Sequence, residues 1–305
     1  MKVLIILASY NGEKYIKEQI ESLLSQERVT IKIVVFDDVS KDNTALVVSS
    51  FSADERIEFI QNSSPTGSAA ANFFGAIKYL KDDVFKQYDY ISFSDQDDIW
   101  LPNKLDAAIQ ILKREQSSLY LSNLILWQEN KDSKSIINKS HPQKDHDYLF
   151  EGGSAGCTYV FSNKFCIELK RTLEKVDYSN WMFFSHDWFV YFFARINDFR
   201  ASIDSNAYIL YRIHDDNVHG QLNTNSVFAI KERLRLVREG WYLENIKGFL
   251  QIIPHNSKER LIYKLYSKNY LTRLYVLLRY NFSLMRSSKK FIQFFIVSLM
   301  PFKIK

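Results

Sequence analysis

Short apolar runs alternate with helically spaced ones through the first third of the chain, and that alternation predicts its architecture. Residues 3–8 form an unbroken apolar run that reads as a buried parallel strand. Residues 13–26 place Tyr15, Ile16, Ile20, Leu23 and Leu24 at helical spacing. Further strands are expected at 31–36, 57–61 and 88–93, with helices at 44–51, 69–80 and 103–114. Trp100-Leu101-Pro102 is expected to turn the chain into the last of these helices. A βαβαβαβα run implies an α/β fold with a parallel, doubly wound sheet and right-handed crossovers.

Beyond residue 118 the pattern is less regular. Residues 119–127 read as a strand and 129–147 as a polar loop. Gly152-Gly153-Ser154-Ala155-Gly156 reads as a flexible stretch before a strand at 157–161. From about residue 226 the pattern is helical, aromatic and basic to the end. The expected division is 1–225 as one catalytic-type domain, with halves 1–115 and 116–225, followed by a helical region over 226–305. No internal repeat is visible.

Composition narrows the class. The 305 residues are 46% hydrophobic and 25% charged, enough for a sizeable core. Cys157 and Cys166 are too few for a disulfide framework or a four-thiolate zinc site, which suits a reducing, cytoplasmic setting. The first apolar run is short and is followed by Ser9-Tyr10-Asn11-Gly12-Glu13-Lys14 rather than a cleavage site, so it is not expected to be a signal peptide. No window of 18 apolar residues exists, so no transmembrane helix is expected. Charge is split: from residue 231 onward there are 16 Lys/Arg and 4 Asp/Glu, leaving −7 on the first 230 residues of a chain whose net charge is +5.

Candidate chemistry sits where strands end. Phe93-Ser94-Asp95-Gln96-Asp97-Asp98-Ile99-Trp100 puts three carboxylates at the carboxyl end of the fourth strand, the edge where open α/β sheets bind ligands. Adjacent acids repel, and a hard divalent cation relieves that repulsion. Taken alone, the motif reads equally well as a solvated turn with a helix cap. Ala8-Ser9-Tyr10-Asn11-Gly12 closes the first strand and Asp37-Asp38 the second, on the same edge. An aromatic and a carboxylate there suit stacking on a base and accepting its imide N–H. Asp42-Asn43-Thr44 reads as helix capping. No G-x-G-x-x-G follows the first strand and no G-x-x-x-x-G-K-[ST] occurs, so dinucleotide and P-loop readings lose their main support.

Together, Ala8-Ser9-Tyr10-Asn11-Gly12, Asp37-Asp38-x-Ser40-Lys41-Asp42-Asn43-Thr44 and Ser94-Asp95-Gln96-Asp97-Asp98-Ile99-Trp100 resemble glycosyltransferase family 2, the inverting GT-A type, over roughly residues 1–220. With His186-Asp187-Trp188 and Tyr211-Arg212-x-His214-x-x-Asn217-x-x-Gly220, the resemblance is to the rhamnosyltransferase-like branch of bacterial polysaccharide assembly. It implies a GT-A fold and a nucleotide-sugar donor. Ser9, Tyr10, Asn11 and Asp38 would bind the nucleoside, Tyr10 by stacking and Asp38 at the base N3–H. Asp95 and Asp97 would match the Asp-x-Asp ligands of Mn²⁺ or Mg²⁺, with Asp98 behind them. Arg212 and His214 would lie near the diphosphate, His214 as a possible metal ligand. Asp187 would be the general base. Gly153–Cys157 would floor the acceptor site. Val39 stands where the family usually has Gly or Ala, and Pro65-Thr66-Gly67-Ser68-Ala69-Ala70-Ala71-Asn72 keeps the Gly-x-x-x-x-Asn spacing without the family's common Arg.

The basic C-terminal region interleaves Lys and Arg with Leu261, Tyr263, Leu265, Tyr266, Tyr270, Leu274, Leu277 and Leu278. This suits an amphipathic surface on anionic lipid, with a packed helical subdomain or single-stranded nucleic acid as alternatives. The expectation is a metal-dependent transferase moving rhamnose from dTDP-rhamnose onto a lipid-linked or growing saccharide. It would work in the cytoplasm at the inner leaflet, without nucleic acid, as a monomer or a homodimer. A UDP-hexose or UDP-N-acetylhexosamine donor, or a non-catalytic nucleotide-binding scaffold, is the alternative.

Overall fold

The computed structural model describes residues 1–129, 133–213 and 227–300, which fall into two compact units. The first comprises Met1–Ser140, Gly153–Lys175 and Phe193–Ile213. The second comprises His141–Gly152, Val176–Phe192 and the described chain from 227 onward.

The first unit carries every described strand. β1 (Lys2–Ser9), β2 (Thr30–Asp37), β3 (Ile57–Gln61) and β4 (Tyr90–Ser94) are joined by α1 (Ile16–Leu24), α2 (Thr44–Ser49), α3 (Ala69–Tyr79) and the short α4 (Asp82–Phe85). β5 (Ile99–Trp100), α5 (Lys104–Arg114), β6 (Leu119–Gln128), β7 (Ser133–Ile137), β8 (Val160–Ser162), α6 (Asn163–Leu173) and β9 (Ala201–Arg212) follow, with α7 (His186–Ile196) before β9. The sheet order is β3-β2-β1-β4-β8-β6-β9-β5, with β7 beside β6. β1 to β4 are mutually parallel, as the alternating pattern predicts. Beyond β4 the sheet is mixed: β8 runs antiparallel to β4 and β6, β9 is parallel to β6, and β5 is antiparallel to β9.

Three local expectations are corrected. The polar loop expected at 129–147 contains β7, whose mostly exposed side chains give no apolar alternation because its strand state comes from pairing with β6. Trp100 is not part of the turn into α5 but of a strand before it: Ile99-Trp100 pairs with β9, and two residues are too few to leave a periodic signal. The glycine-rich 152–156 stretch is not a free loop. Gly153, Ser154 and Gly156 are buried, and the Ser154 hydroxyl donates to the Ser122 carbonyl at 2.7 Å.

Both sheet faces are covered, which is why β1 is buried at every position after Lys2. Val3, Ile5 and Leu7 pack with Ile16, Ile20 and Leu23 of α1 and Leu105, Ala108 and Leu112 of α5. On the alternate face Phe93 meets Phe73 of α3 (centroids 4.6 Å) and Phe161 of β8 (5.1 Å). The chain leaves β1 for β2 and β3, then crosses back to β4 on the other side of β1. The winding therefore reverses between the ends of β1 and β4, the point where such sheets open a crevice.

The second unit is helical. It holds a 3₁₀ turn at Asp147–Leu149, the first turns of α7, and α8 (Val227–Arg238), α9 (Trp241–Phe249), α10 (Lys258–Lys268), α11 (Tyr270–Tyr280) and α12 (Ser288–Ser298). Its core is aromatic: Phe150 contacts the rings of Tyr242, Tyr263, Tyr266 and Phe294, and Phe192 stacks on Phe249 at 4.0 Å. Asn269 separates α10 from α11 and closes a capping box with Thr272. No helix among the described residues is long and apolar enough to cross a membrane.

Candidate active site

The ends of β1 and β2 are knitted by side chains. Ser9 and Asp37 are register partners, and the Ser9 hydroxyl donates to Asp37 Oδ1 at 3.0 Å. Asp37 also accepts from the Ser40 N–H (2.9 Å), the Ser40 hydroxyl (2.5 Å) and Gln61 Nε2 (3.3 Å), and it is fully buried. Asp37 therefore shapes the turn, and Asp38 is the acid next in line. The Asp38 carboxylate accepts from Asn62 Nδ2 (3.0 Å), the Thr66 N–H (2.6 Å), the Thr66 hydroxyl (2.9 Å) and the Gly67 N–H (3.3 Å). A carboxylate has about four lone-pair sites, so a base N–H can be accepted only in place of one of these donors. Thr66 and Gly67 belong to the 65–72 segment, with its Gly-x-x-x-x-Asn spacing, that the resemblance marks, whereas Asn62 carries no sequence signal; Asn72, at the end of that segment, ties Asn62 to the Phe36 carbonyl.

Tyr10 presents its ring to solvent at 50% exposure while its peptide is held on both sides. Its N–H donates to Gln96 Oε1 (2.8 Å), and Gln96 Nε2 donates to its carbonyl (3.0 Å). Gln96 thus clamps the end of β1 to the loop after β4. A Cβ on Gly12 would lie 2.3 Å from Gln96 Oε1, so the clamp requires glycine there. Asn11, at φ +48°, donates its N–H to the Ser40 hydroxyl and accepts from the Lys41 N–H, both at 2.9 Å. Asn tolerates this left-handed conformation. Val39 holds φ +61°, which for a β-branched residue is strained.

Asp95 and Asp97 are half-buried, and Asp98 is buried. Ligand atoms of Asp95, Asp98 and Cys157 all lie within 4.8 Å of one another. Burial, then the charges of Asp97 and Asp95, push the Asp98 carboxyl well above the usual range. Burial, then Asp98 and Asp95, push the Cys157 thiol up, so it stays a neutral neighbour rather than a thiolate ligand. Beneath the loop, buried Lys104 donates to the Ser92 hydroxyl at 2.9 Å and sits 3.4 Å over the Trp100 ring. The carboxylate oxygens of this loop are the hard donors a divalent cation takes, and the protonated thiol adds no ligand to them.

Arg212, at the end of β9, braces this loop. Its N–H donates to Asp98 Oδ1 (3.3 Å) and its Nε to the Asp97 carbonyl (3.0 Å). Its Nη1 reaches Glu129 at 2.5 Å, its Nη2 reaches Glu18, and the guanidinium lies 4.6 Å from both the Tyr15 and Trp127 ring centroids. Burial alone would lower its pKa, but Glu129 and Glu18 outweigh it and the net direction is upward. These partners lie far from Arg212 in sequence, so no local motif reveals them.

The structure thus brings Ser9, Tyr10, Asn11, Asp38, Asp95, Asp97 and Arg212 into one unit, at the carboxyl edge of its sheet. Asp187 belongs to the second unit, at the start of α7, where its Oδ1 accepts from the Trp188 N–H (2.6 Å) and from the Ser185 hydroxyl. The aromatics before it are largely packed: Trp181 contacts Phe184 and Phe249, and Phe184 stacks on Tyr178 at 5.0 Å. His214, with Asn217 and Gly220, lies outside the described residues.

The model of glycosyl transferase family 2 matches residues 4–193. The chain belongs to this family. The glycosyltransferase is 35% identical to the dTDP-rhamnosyl transferase RfbG of Shigella flexneri over 254 residues, covering 82% of this chain and 86% of that protein. This makes it rhamnosyltransferase-like. It is also 35% identical, over 52% of its own length and 58% of the relative, to the UDP-Glc:alpha-D-GlcNAc-diphosphoundecaprenol beta-1,3-glucosyltransferase WfgD of Escherichia coli. Among solved structures, S. aureus TarS 1-349 in complex with UDP-GlcNAc superposes with a TM-score of 0.58 at 18% identity, covering 98% of this chain and 82% of that one. The family 2 glycosyltransferase therefore has the GT-A fold.

Proposed function

We propose that this glycosyltransferase moves rhamnose from dTDP-rhamnose, with inversion, onto a lipid-linked or growing cell-surface saccharide. The observation that carries the reading is the meeting of an open Tyr10 ring, the Asp38 carboxylate and the Asp95–Asp98 loop at the ends of β1, β2 and β4. In this reading Tyr10 stacks on the base, supported from below by Ser9 and Asn11. Asp38 accepts the imide N–H as the 62–67 loop gives up one hydrogen bond. Asp95 and Asp97 would hold Mn²⁺ or Mg²⁺, with His214 as a further candidate, and the bound ion would neutralise charge on the leaving diphosphate. Arg212 acts on the diphosphate through the loop it grips. Asp187 takes the proton from the acceptor hydroxyl as the hydroxyl oxygen bonds to the anomeric carbon. The bond from that carbon to the diphosphate breaks, its electron pair leaving with dTDP. The identity to the Shigella protein supports the donor. The diphosphoundecaprenol in the name of the E. coli relative supports a lipid-linked acceptor, met at the cytoplasmic membrane face.

A UDP-sugar donor is the second reading, favoured by the UDP-Glc in the name of that same relative. Release of nucleoside diphosphate across dTDP-rhamnose, UDP-glucose, UDP-galactose and UDP-N-acetylglucosamine, with and without EDTA, tests both. The expected result is at least ~10-fold better turnover of dTDP-rhamnose, abolished by EDTA and restored by Mn²⁺ or Mg²⁺. Faster turnover of a UDP-sugar overturns the donor, EDTA-resistant turnover overturns the cation, and no turnover of any donor points to a scaffold.

A further inference from the structure

The C-terminal helices expose an apolar surface that differs from the stripe suggested by sequence. Tyr263, Tyr266 and Leu277 of that stripe are buried in the second unit's core. On α11 the inward side holds Arg273, Val276 and Leu277, and the outward side holds Leu271, Tyr275 and Leu278. The outward residues are spaced i, i+4, i+7, which places them on one helical face. Phe282, in the 3₁₀ turn after α11, comes one further turn along. These four side chains are between 48% and 74% exposed. The Phe282 ring lies 4.8 Å from Phe291, and Phe291 lies 6.0 Å from Phe295, so the apolar surface continues onto α12. There Ile292 and Ile296 are again more than half exposed. Stripes of large apolar residues this open are rare without a partner.

The charges on α10, α11 and α12 are basic but for Glu259. Residues 258–305 hold eleven Lys/Arg and a single acid, Glu259. Lys258, Lys264, Lys268, Arg279 and Lys289 are exposed, and Glu259 is half-buried. A second copy docked through the same three helices would set these cations against their equals, with Glu259 as the one carboxylate on each side. Nucleic acid would match the charge, but single strands want stacking rings, and this surface is mainly Leu and Ile. An anionic bilayer surface takes both components, apolar side chains at the acyl boundary and cations at the headgroups.

We propose that the exposed face of α11, continued onto α12, docks the protein on anionic lipid. The purpose rests on the lipid-linked acceptor of the proposed function, while the surface itself rests on exposure and charge. Full-length protein is sedimented with vesicles of phosphatidylglycerol and phosphatidylcholine, and with phosphatidylcholine alone. Binding to the anionic vesicles is expected, weakening from 0.1 M to 1 M salt as the Debye length falls from ~10 Å to ~3 Å. Leu271→Gln with Leu278→Gln should weaken it at least ~10-fold. Lys264→Glu with Lys268→Glu should do so independently, and both variants should turn over donor with a soluble acceptor as the wild type does. Wild-type protein that ignores anionic vesicles, or leucine variants that bind as wild type, overturn the proposal. A concentration-dependent dimer abolished by the leucine variants, or preference for a single-stranded oligonucleotide over vesicles, assigns the face elsewhere and also overturns it. Leucine-dependent vesicle binding without sugar transfer upholds the surface and sinks the function. Transfer to a soluble acceptor without vesicle binding does the reverse.

Discussion

Asp37 and Asp38 are identical in type and adjacent in sequence, yet the fold gives them different work. Asp37 ends β2 in register with Ser9 and is enclosed by the turn it stabilises, while Asp38, one position on, faces the opposite way into the 62–67 loop. Val39 follows at φ +61°. Left-handed backbone costs a β-branched residue ~1–2 kcal/mol, and glycine removes that strain at an entropic cost of ~0.5–1 kcal/mol. Val39→Gly is therefore expected to leave stability unchanged or raise it by up to ~1.5 kcal/mol, whereas Val39→Ala keeps its Cβ and most of the strain. Denaturant midpoints check this, and a clear loss for the glycine variant would show that Val39 packing outweighs its backbone. Asp187→Asn is expected to lower kcat by ~10²-fold or more with donor affinity little changed, because a base acts in the transition state. Its hydrogen bonds from Trp188 and Ser185 ask only for an oxygen acceptor, which Asn keeps, so thermal stability should hold. A large loss of donor affinity in titration would move Asp187 into the donor pocket.

At the scale of elements, long periodic segments are legible and short or cross-braced ones are not. The boundaries of α3 and α5 lie within one residue of those expected, since a dozen residues of 3.6 periodicity average out local noise. β5 and β7 exist only because β9 and β6 supply their hydrogen bonds. α9 shows the same dependence in packing. Gly248 is a poor helix former by ~1 kcal/mol relative to Ala, so propensity alone favours Gly248→Ala. However, a Cβ there would meet the Trp181 indole at 2.2 Å. That indole is fixed by Phe184, Phe249 and a 3.2 Å bond from its Nε1 to Asn245. Overpacking of this kind costs ~1–3 kcal/mol, so the clash outweighs the propensity gain. Gly248→Ala should thus lower Tm by several degrees, and a raised Tm would show that the indole moves aside freely.

For the molecule as a whole, the second unit holds its own internal acid sensitivity. Glu151 accepts from the Arg286 backbone N–H and from Lys290 Nζ at 3.0 Å, and the Arg286 Nε lies 3.4 Å away. Burial alone would raise the Glu151 pKa, but Lys290 and Arg286 outweigh it and the net direction is downward. A depressed carboxylate stabilises the fold above its unfolded pKa, ~4.3, and loses that contribution as pH falls through the folded value. Glu151→Gln is expected to be ~2 kcal/mol less stable at pH 7, below the ~3–5 kcal/mol of a fully buried pair because Lys290 is 41% exposed. The gap to wild type should persist to about pH 4 and close below it. Urea titrations from pH 7 to pH 3 check this, and a gap that widens in acid would reverse the sign. The sequence by itself determined the parallel β1–β4 half, the strand ends that carry Tyr10, Asp38 and Asp95–Asp98, and the family resemblance. Those features depend on local periodicity and on residues close together in the chain. Only the tertiary structure decided that Arg212, held by Glu18 and Glu129, braces the acid loop, that Thr66 and Asn62 close over Asp38, and which C-terminal apolar residues face outward. Each of these is a contact between segments distant in sequence, or a choice between two faces of a helix that are both apolar, and neither leaves a local periodic signal.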